Sequence, residues 1–325
     1  MSDVYASINF PGQELLAVNP VPILMQAAPL AIRFQVLRDL LGQEGSEDYS
    51  SLQRNLRKQQ ARRKLMNEQG GQGLWPLPGD FHQLSEEQRE TLQFIHQLEV
   101  LNTLLDLMVT QKQEKVRQGM EAVLAYLERP SESLRMHHLV HAIYLATVFQ
   151  LDSRPVIKQL IWTLLKRQNV DGGWTSLEGE SASCIWTSLF FLWTLGQGDH
   201  SQANRTIQKG LEYLEASLLR PDQSQLIPGM QAWDTLISGT QGLAVLGGGT
   251  LRYLEMIQLL NPEELPRKSR KLLKWLTDIQ LKNGLWPAIA HRDKKGDFGV
   301  TLRVLKVLKH FQLRRQKTVA SSEFD

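Results

Sequence analysis

Apolar residues recur at helical spacing in six stretches of the chain: Leu92–Val109, Leu134–Phe149, Val156–Leu165, Ile185–Leu195, Ile207–Leu218 and Leu302–Phe311. Strict alternation of apolar and polar positions, the mark of a half-buried strand, is hard to find. Short loops marked by Gly, Pro, Asn and Asp separate the helical runs. The pattern predicts an all-α protein. Pro11, Pro20, Pro22 and Pro29 make residues 1–29 an extended N-terminal arm. Gly42–Ser51 reads as a polar loop, a single domain is expected over 30–316, and residues 317–325 lack a core pattern and read as a disordered tail.

Laid over the helices is an internal repeat. Gln69–Trp75 (QGGQGLW), Gln168–Trp174 (QNVDGGW) and Gln280–Trp286 (QLKNGLW) share Q-x-x-x-G-x-W, with tryptophans 99 and 112 residues apart. Each follows a helical end, and Pro76 and Pro287 follow two of them. Leu211–Met230 and Val123–Arg135 are weaker copies, which bring the period near 50 residues. A repeat of that length is two helices and two loops. Six such units need about 300 residues, and the chain has 325. The arithmetic favours six αα-hairpins in an (α/α)6 toroid over an open solenoid of shorter repeats. Within the motif, glycine lets the chain leave a helix through a conformation other residues resist. Glutamine can bond exposed backbone groups at a helix end, and tryptophan covers apolar area between layers. These residues read as structural staples, not as catalytic groups.

The three segments resemble the QW repeat of the terpenoid cyclase and protein prenyltransferase superfamily, over roughly Leu65 to Leu308. The resemblance implies an (α/α)6 barrel whose inner helices surround an apolar, aromatic-lined cavity that holds an isoprenoid chain. It also implies where chemistry would sit. Protonating cyclases carry D-x-D-D, often followed by Thr. The nearest match is Gln231–Thr235 (QAWDT), in which Asp234 and Thr235 fit, while Gln231 and Trp233 stand at the other acidic positions. Asp234 is therefore the candidate catalytic acid, with capping of a helix start as its alternative. The magnesium-binding D-D-x-x-D motif is absent. The zinc of the prenyltransferases implies Asp, Cys and His ligands. Cys184 lies in a similar segment, but Ala182 and Val300 stand at the other two positions, so no zinc and no cofactor is expected.

The inner-helix starts should converge at one mouth, where His137, His138, Cys184, Trp186, Trp233, Asp297 and Phe298 would contact substrate. Trp162, Trp186, Phe190, Trp193 and Trp233 are the aromatics against which an apolar chain would fold, because ring faces stabilise carbocations. His137 and His141 stand one helical turn apart, a spacing that can share a metal, although no third ligand is evident and His138 points to another face. The expected function is isoprenoid binding with cyclisation. The alternative is a lipid-binding or interaction scaffold that kept the barrel and lost the acid.

Composition narrows the field further. The chain is 42% hydrophobic, and its formal charge is only +3 from 37 Lys+Arg against 34 Asp+Glu. Global disorder and a nucleic-acid partner are therefore not expected. Arg54–Lys64 and Lys306–Lys317 are basic runs, read as solvated outer faces and leaving peripheral membrane contact open. Cys184 is the sole cysteine, which excludes an internal disulfide. Met1–Pro11 lacks the build of a secretory signal, and the eleven residues Ile185–Leu195 fall short of the ~20 a bilayer span needs. A cytoplasmic setting is the expectation.

Overall fold

The computed structural model describes residues 10–129, 134–176, 182–218 and 233–322, with backbone alone for 317–322. Thirteen α-helices dominate these residues, and 63% is helical against 2% strand. They are α1 (Val21–Ala27), α2 (Leu30–Gln35), α3 (Glu47–Lys58), α4 (Gln60–Glu68), α5 (Glu86–Asp106), α6 (Glu114–Leu127) and α7 (Met136–Val148). They continue with α8 (Pro155–Lys166), α9 (Ile185–Leu195), α10 (Asn204–Ser217), α11 (Gly249–Leu260), α12 (Arg267–Asp278) and α13 (Phe298–Ser322). The two strands, β1 (Trp286–Pro287) and β2 (Gly296–Asp297), form one short antiparallel pair with Trp286 opposite Asp297. All six stretches of helical spacing fall on helices.

The structure also differs from the sequence pattern. Residues 21–27 of the expected arm form α1, because Pro22 sits in the first turn, where its missing N–H costs nothing. Residues 47–51 of the expected loop open α3, whose start is capped by Ser46 Oγ accepting from Tyr49 N at 3.1 Å. The backbone of α13 runs on through Ser322. The weak repeat copy Leu211–Met230 lies partly outside the described residues, as does Val123–Arg135.

Contacts divide the chain into two units. One holds residues 58–226 and 238–246; the other holds 1–57, 227–237 and 247–325. In the first, α5 packs on α7 and α7 on α9, while α6 packs on α8 and each helix also touches its chain neighbour. That alternation is the signature of stacked αα-hairpins. Helix α9 carries only apolar, Ser and Thr residues and is buried on nearly all sides, as a helix enclosed by others must be. In the second unit, α13 packs against α11, α2 and the π-helical turn Val36–Leu40 that continues α2.

The three Q-x-x-x-G-x-W segments adopt one geometry. Trp75, Trp174 and Trp286 are each almost fully buried. Each indole Nε1 donates to the carbonyl ten residues earlier: Leu65 at 2.6 Å, Leu164 at 2.8 Å and Leu276 at 2.6 Å. Each tryptophan N–H donates to a side chain of the following helix, Gln97 Oε1, Ser188 Oγ or Thr301 Oγ1. Each glutamine Nε2 donates twice, once across its own turn to Gly73, Gly172 or Gly284 and once onward to Lys115, Thr206 or Val18. The glycines have φ of 76°, 91° and 86°. A Cβ on Gly172 would stand 2.4 Å from the Lys209 carbonyl oxygen, so both strain and space demand glycine there. Lys115 and Thr206 open α6 and α10, whereas Val18 belongs to the segment ahead of α1. Gln280 Oε1 also accepts from Ala17 N, at 3.0 Å. Residues 17–18 thus take, for the third segment, the place that a helix start takes for the other two.

Arg303, Lys306 and Lys309 of α13 are engaged within the second unit instead of lying on a solvated face. Arg303 grips Glu255 with two bonds of 2.6 and 2.7 Å and donates to the Leu236 carbonyl. Lys306 pairs with Asp39 at 2.5 Å and bonds Gln35. Lys309 caps the π turn through the Asp39 and Leu40 carbonyls. Burial opposes charge on Asp39, but the Arg38 hydrogen bond and Lys306 outweigh it and hold the carboxyl below its usual range.

Candidate functional site

Four of the eight sequence-derived candidates belong to the first unit. His137 and His138 stand in the first turn of α7, Cys184 is the N-cap residue of α9, and Trp186 lies in the first turn of α9. Cys184 is held by its own backbone: its N–H donates to the Trp174 carbonyl at 2.7 Å and its carbonyl accepts from Ser188. The second staple tryptophan therefore sets where α9 begins. The rings of His137 and His138 lie together, with centroids 4.1 Å apart, so the pairing in space is between these neighbours. His141 turns instead to Asn102 of α5, 3.3 Å away.

Burial, and then the positive charges that His138 and Arg135 would set beside it, push His137 down to about 3; burial and Arg135 push His138 to about 4. Both imidazoles are neutral at pH 7. An unfolded chain protonates its histidines near 6.5, so between that value and about 4 the unfolded state binds more protons. Folding stability is therefore complete above pH 6.5 and falls as the pH drops toward 4. The urea midpoint should decline over that window, and less steeply in His137→Gln/His138→Gln. Equal slopes in the two proteins would refute this.

Beyond His141, an aromatic wall links α7 to α9. His141 stacks near Tyr144 (6.4 Å) and meets Phe190 edge-on (6.3 Å); Tyr144 packs on Trp193 (4.7 Å), and Phe190 stacks with Trp193 (6.0 Å). His141 and Phe190 are buried, while Tyr144 and Trp193 are half-buried and keep an open edge. Asn102 and Tyr144 escaped the sequence reading; Tyr144 follows His141 by three residues, the spacing that shares a helix face. Trp162, by contrast, is 49% exposed on α8 and lines no wall. A separate groove of about 630 Å³ runs beside the first staple loop, between α5 and α6, where Tyr126 stacks on Phe94 at 4.5 Å.

The other four candidates belong to the second unit. Asp297 accepts from Val300 N at 2.8 Å and so caps α13, with Phe298 as the half-buried first helical residue. Trp233, Asp234 and Thr235 do not open a helix. They run alongside 288–290: Ala290 N donates to the Asp234 carbonyl at 2.9 Å, Leu236 N donates to Ala288, and Thr235 bridges Ile289. Helix α11 starts later and is preceded by Gly248, so the capping role foreseen for Asp234 is not the one it has. One carboxylate oxygen of Asp234 is buried without a hydrogen-bond partner. Trp233 is buried, and its carbonyl accepts from Thr250 N.

Ala182 is exposed and Val300 buried, and among the described residues no group of three or more His, Cys, Asp or Glu side chains is placed to hold a metal ion. Among the same residues no helix is long and apolar enough to cross a membrane. No family model matches the chain, and no curated protein matches it either.

Proposed function

We propose that the six hairpins form an (α/α)6 toroid of the terpenoid cyclase and protein prenyltransferase kind, and that the protein binds an isoprenoid or similarly apolar chain. The observation that carries this reading is the aromatic wall of α7 and α9, with His141 and Phe190 behind and the open edges of Tyr144 and Trp193 in front. Such faces take branched hydrocarbon and attract a positive charge that develops on it. The neutral His137–His138 pair and Asn102 add the few polar groups that orient a ligand in an otherwise apolar site. In the catalytic form of the reading, Asp234 gives its proton to an alkene carbon, leaving a carbocation and a carboxylate; its unpartnered oxygen supports that role.

A second reading, a binding protein or scaffold without chemistry, is favoured by one observation: Asp234 lies in a turn, not at a helix start, and has Trp233, not an acid, beside it. Squalene and geranylgeraniol serve as probes for both. Quenching of tryptophan fluorescence should report binding, and Trp193→Ala should weaken it about tenfold or more, the loss of one well-packed aromatic contact. Unchanged binding in that variant would refute the wall. Asp234→Asn should leave binding intact; loss of a cyclised product selects the catalytic form, and absence of any product from the native protein selects the scaffold.

A further inference from the structure

Besides Arg54–Lys64, positive charge gathers in a stretch of the second unit. Residues 267–295 carry nine basic and two acidic side chains, a sum of +7, so the remainder of the +3 chain sums to −4. Arg267, Arg270, Lys271 and Lys274 are all exposed on α12. Their spacing of i, i+3, i+4 and i+7 puts them on one face, along about 10 Å of helix. The opposite face, with Ser269, Leu272 and Leu276, is buried. The loop after β1 adds exposed Arg292, Lys294 and Lys295, and it meets α12 where His291 lies edge-on to Trp275, 6.2 Å away. Among the described residues none of these seven cations forms an ion pair. Asp293, the acid within that loop, spends an oxygen on Ile289 N.

This arrangement works against the fold. A helix start carries positive partial charge and prefers acids, as α3, α5 and α6 have with Glu47, Glu86 and Glu114. The first turn of α12, like those of most of the described helices, has no acid, and it holds Arg267, Lys268 and Arg270. Arg303, Lys306 and Lys309 of α13 show the contrasting case, spent on carboxylates and carbonyls inside the unit. An exposed row of cations that forms no ion pair among the described residues points to an external partner.

We infer that the exposed face of α12, with the 292–295 loop, docks the protein on an anionic lipid surface. Charge complementarity selects the occupant. A stripe of unpaired Lys and Arg on an amphipathic helix suits a plane of phosphate head groups, and the attraction needs no shaped pocket. A single-stranded nucleic acid would stack its bases on exposed aromatic rings between the cations, whereas the one aromatic ring of α12, Trp275, is half-buried and is met edge-on by His291. A protein partner would bring an apolar centre, and the exposed residues of α12 are all charged. The docking is independent of what the aromatic wall binds.

Vesicle sedimentation tests it. The full chain should bind phosphatidylcholine vesicles containing phosphatidylglycerol at low salt, release at high salt, and ignore pure phosphatidylcholine. Arg270→Gln/Lys271→Gln/Lys274→Gln should weaken binding about a hundredfold. Lys112→Gln/Lys158→Gln/Lys166→Gln, which removes the same charge from exposed positions of the other unit, should bind within about twofold of the native chain. Matching thermal melts of the two variants keep the comparison clear of misfolding. Failure of the native chain to bind anionic vesicles, equal binding to neutral ones, equal loss in both variants, or tighter binding to a single-stranded RNA of mixed sequence would each overturn the inference.

Discussion

Replacing Trp174 with alanine is expected to destabilise the protein by about 3–5 kcal/mol, the usual cost of emptying a fully buried aromatic site. The ring is wholly buried and meets Phe191 edge-on at 5.1 Å. Its Nε1 bond to Leu164 ties the end of α8 to the staple, and a Cβ on Gly210 would stand 3.0 Å from its ring, so α10 lies directly against it. The site is bounded by three helices and cannot collapse cheaply. Urea unfolding followed by circular dichroism measures the loss. Trp162→Ala is the control: that ring is 49% exposed, and its removal should shift stability by less than about 0.5 kcal/mol. Equal effects at the two sites would mean that Trp174 is no staple.

Arg303→Met should cost about 2–4 kcal/mol, somewhat under the value for a fully buried pair because both side chains retain some exposure. The substitution removes the two bonds to Glu255 and the one to the Leu236 carbonyl, and it leaves the Glu255 carboxylate at 15% exposure without its partner. Removing both charges together, as Arg303→Met/Glu255→Leu, should recover most of the loss, because the cost lies in the stranded charge. A double variant no more stable than the single one would show that the backbone bond to Leu236 carries the effect.

The staples were legible in the sequence because their chemistry is local. The turn bond and the indole bond each reach a fixed distance along the chain, so Gln, Gly and Trp recur in step. Their acceptors on the following helix were not legible. Gln97, Ser188 and Thr301 follow their tryptophans by 22, 14 and 15 residues, because the intervening loops differ in length. Only the end of helix α12 was legible, ahead of Gln280, because its cations outnumber its apolar residues and hide the buried stripe. The start of α3 carried a readable signal in Ser46, whose cap competes with the loop character of the residues around it. The site divides in the same way. Asp297 caps a helix that sequence periodicity already indicated. Asp234 was placed at a helix start by its neighbours in the chain, but backbone bonds to 288–290, some 55 residues away, hold it in a turn. Asn102 and His141 meet only because α5 and α7, 39 residues apart at that point, pack against each other.

The Gln280 bonds to residues 17 and 18 also have a consequence in time. During synthesis those residues are made early, yet the partner that holds them is added about 260 residues later. Until then, the last staple lacks its onward anchor, and the segment ahead of α1 has nothing to clasp. The hairpins containing the first two staples can settle as they emerge, since their anchors at Lys115 and Thr206 follow within 46 and 38 residues. The third must wait for a ribosome to finish most of the chain. Loop closure over that span is slow, so the clasp is the natural last event of folding, and cotranslational pulses should find the region around Trp286 protected after the region around Trp75.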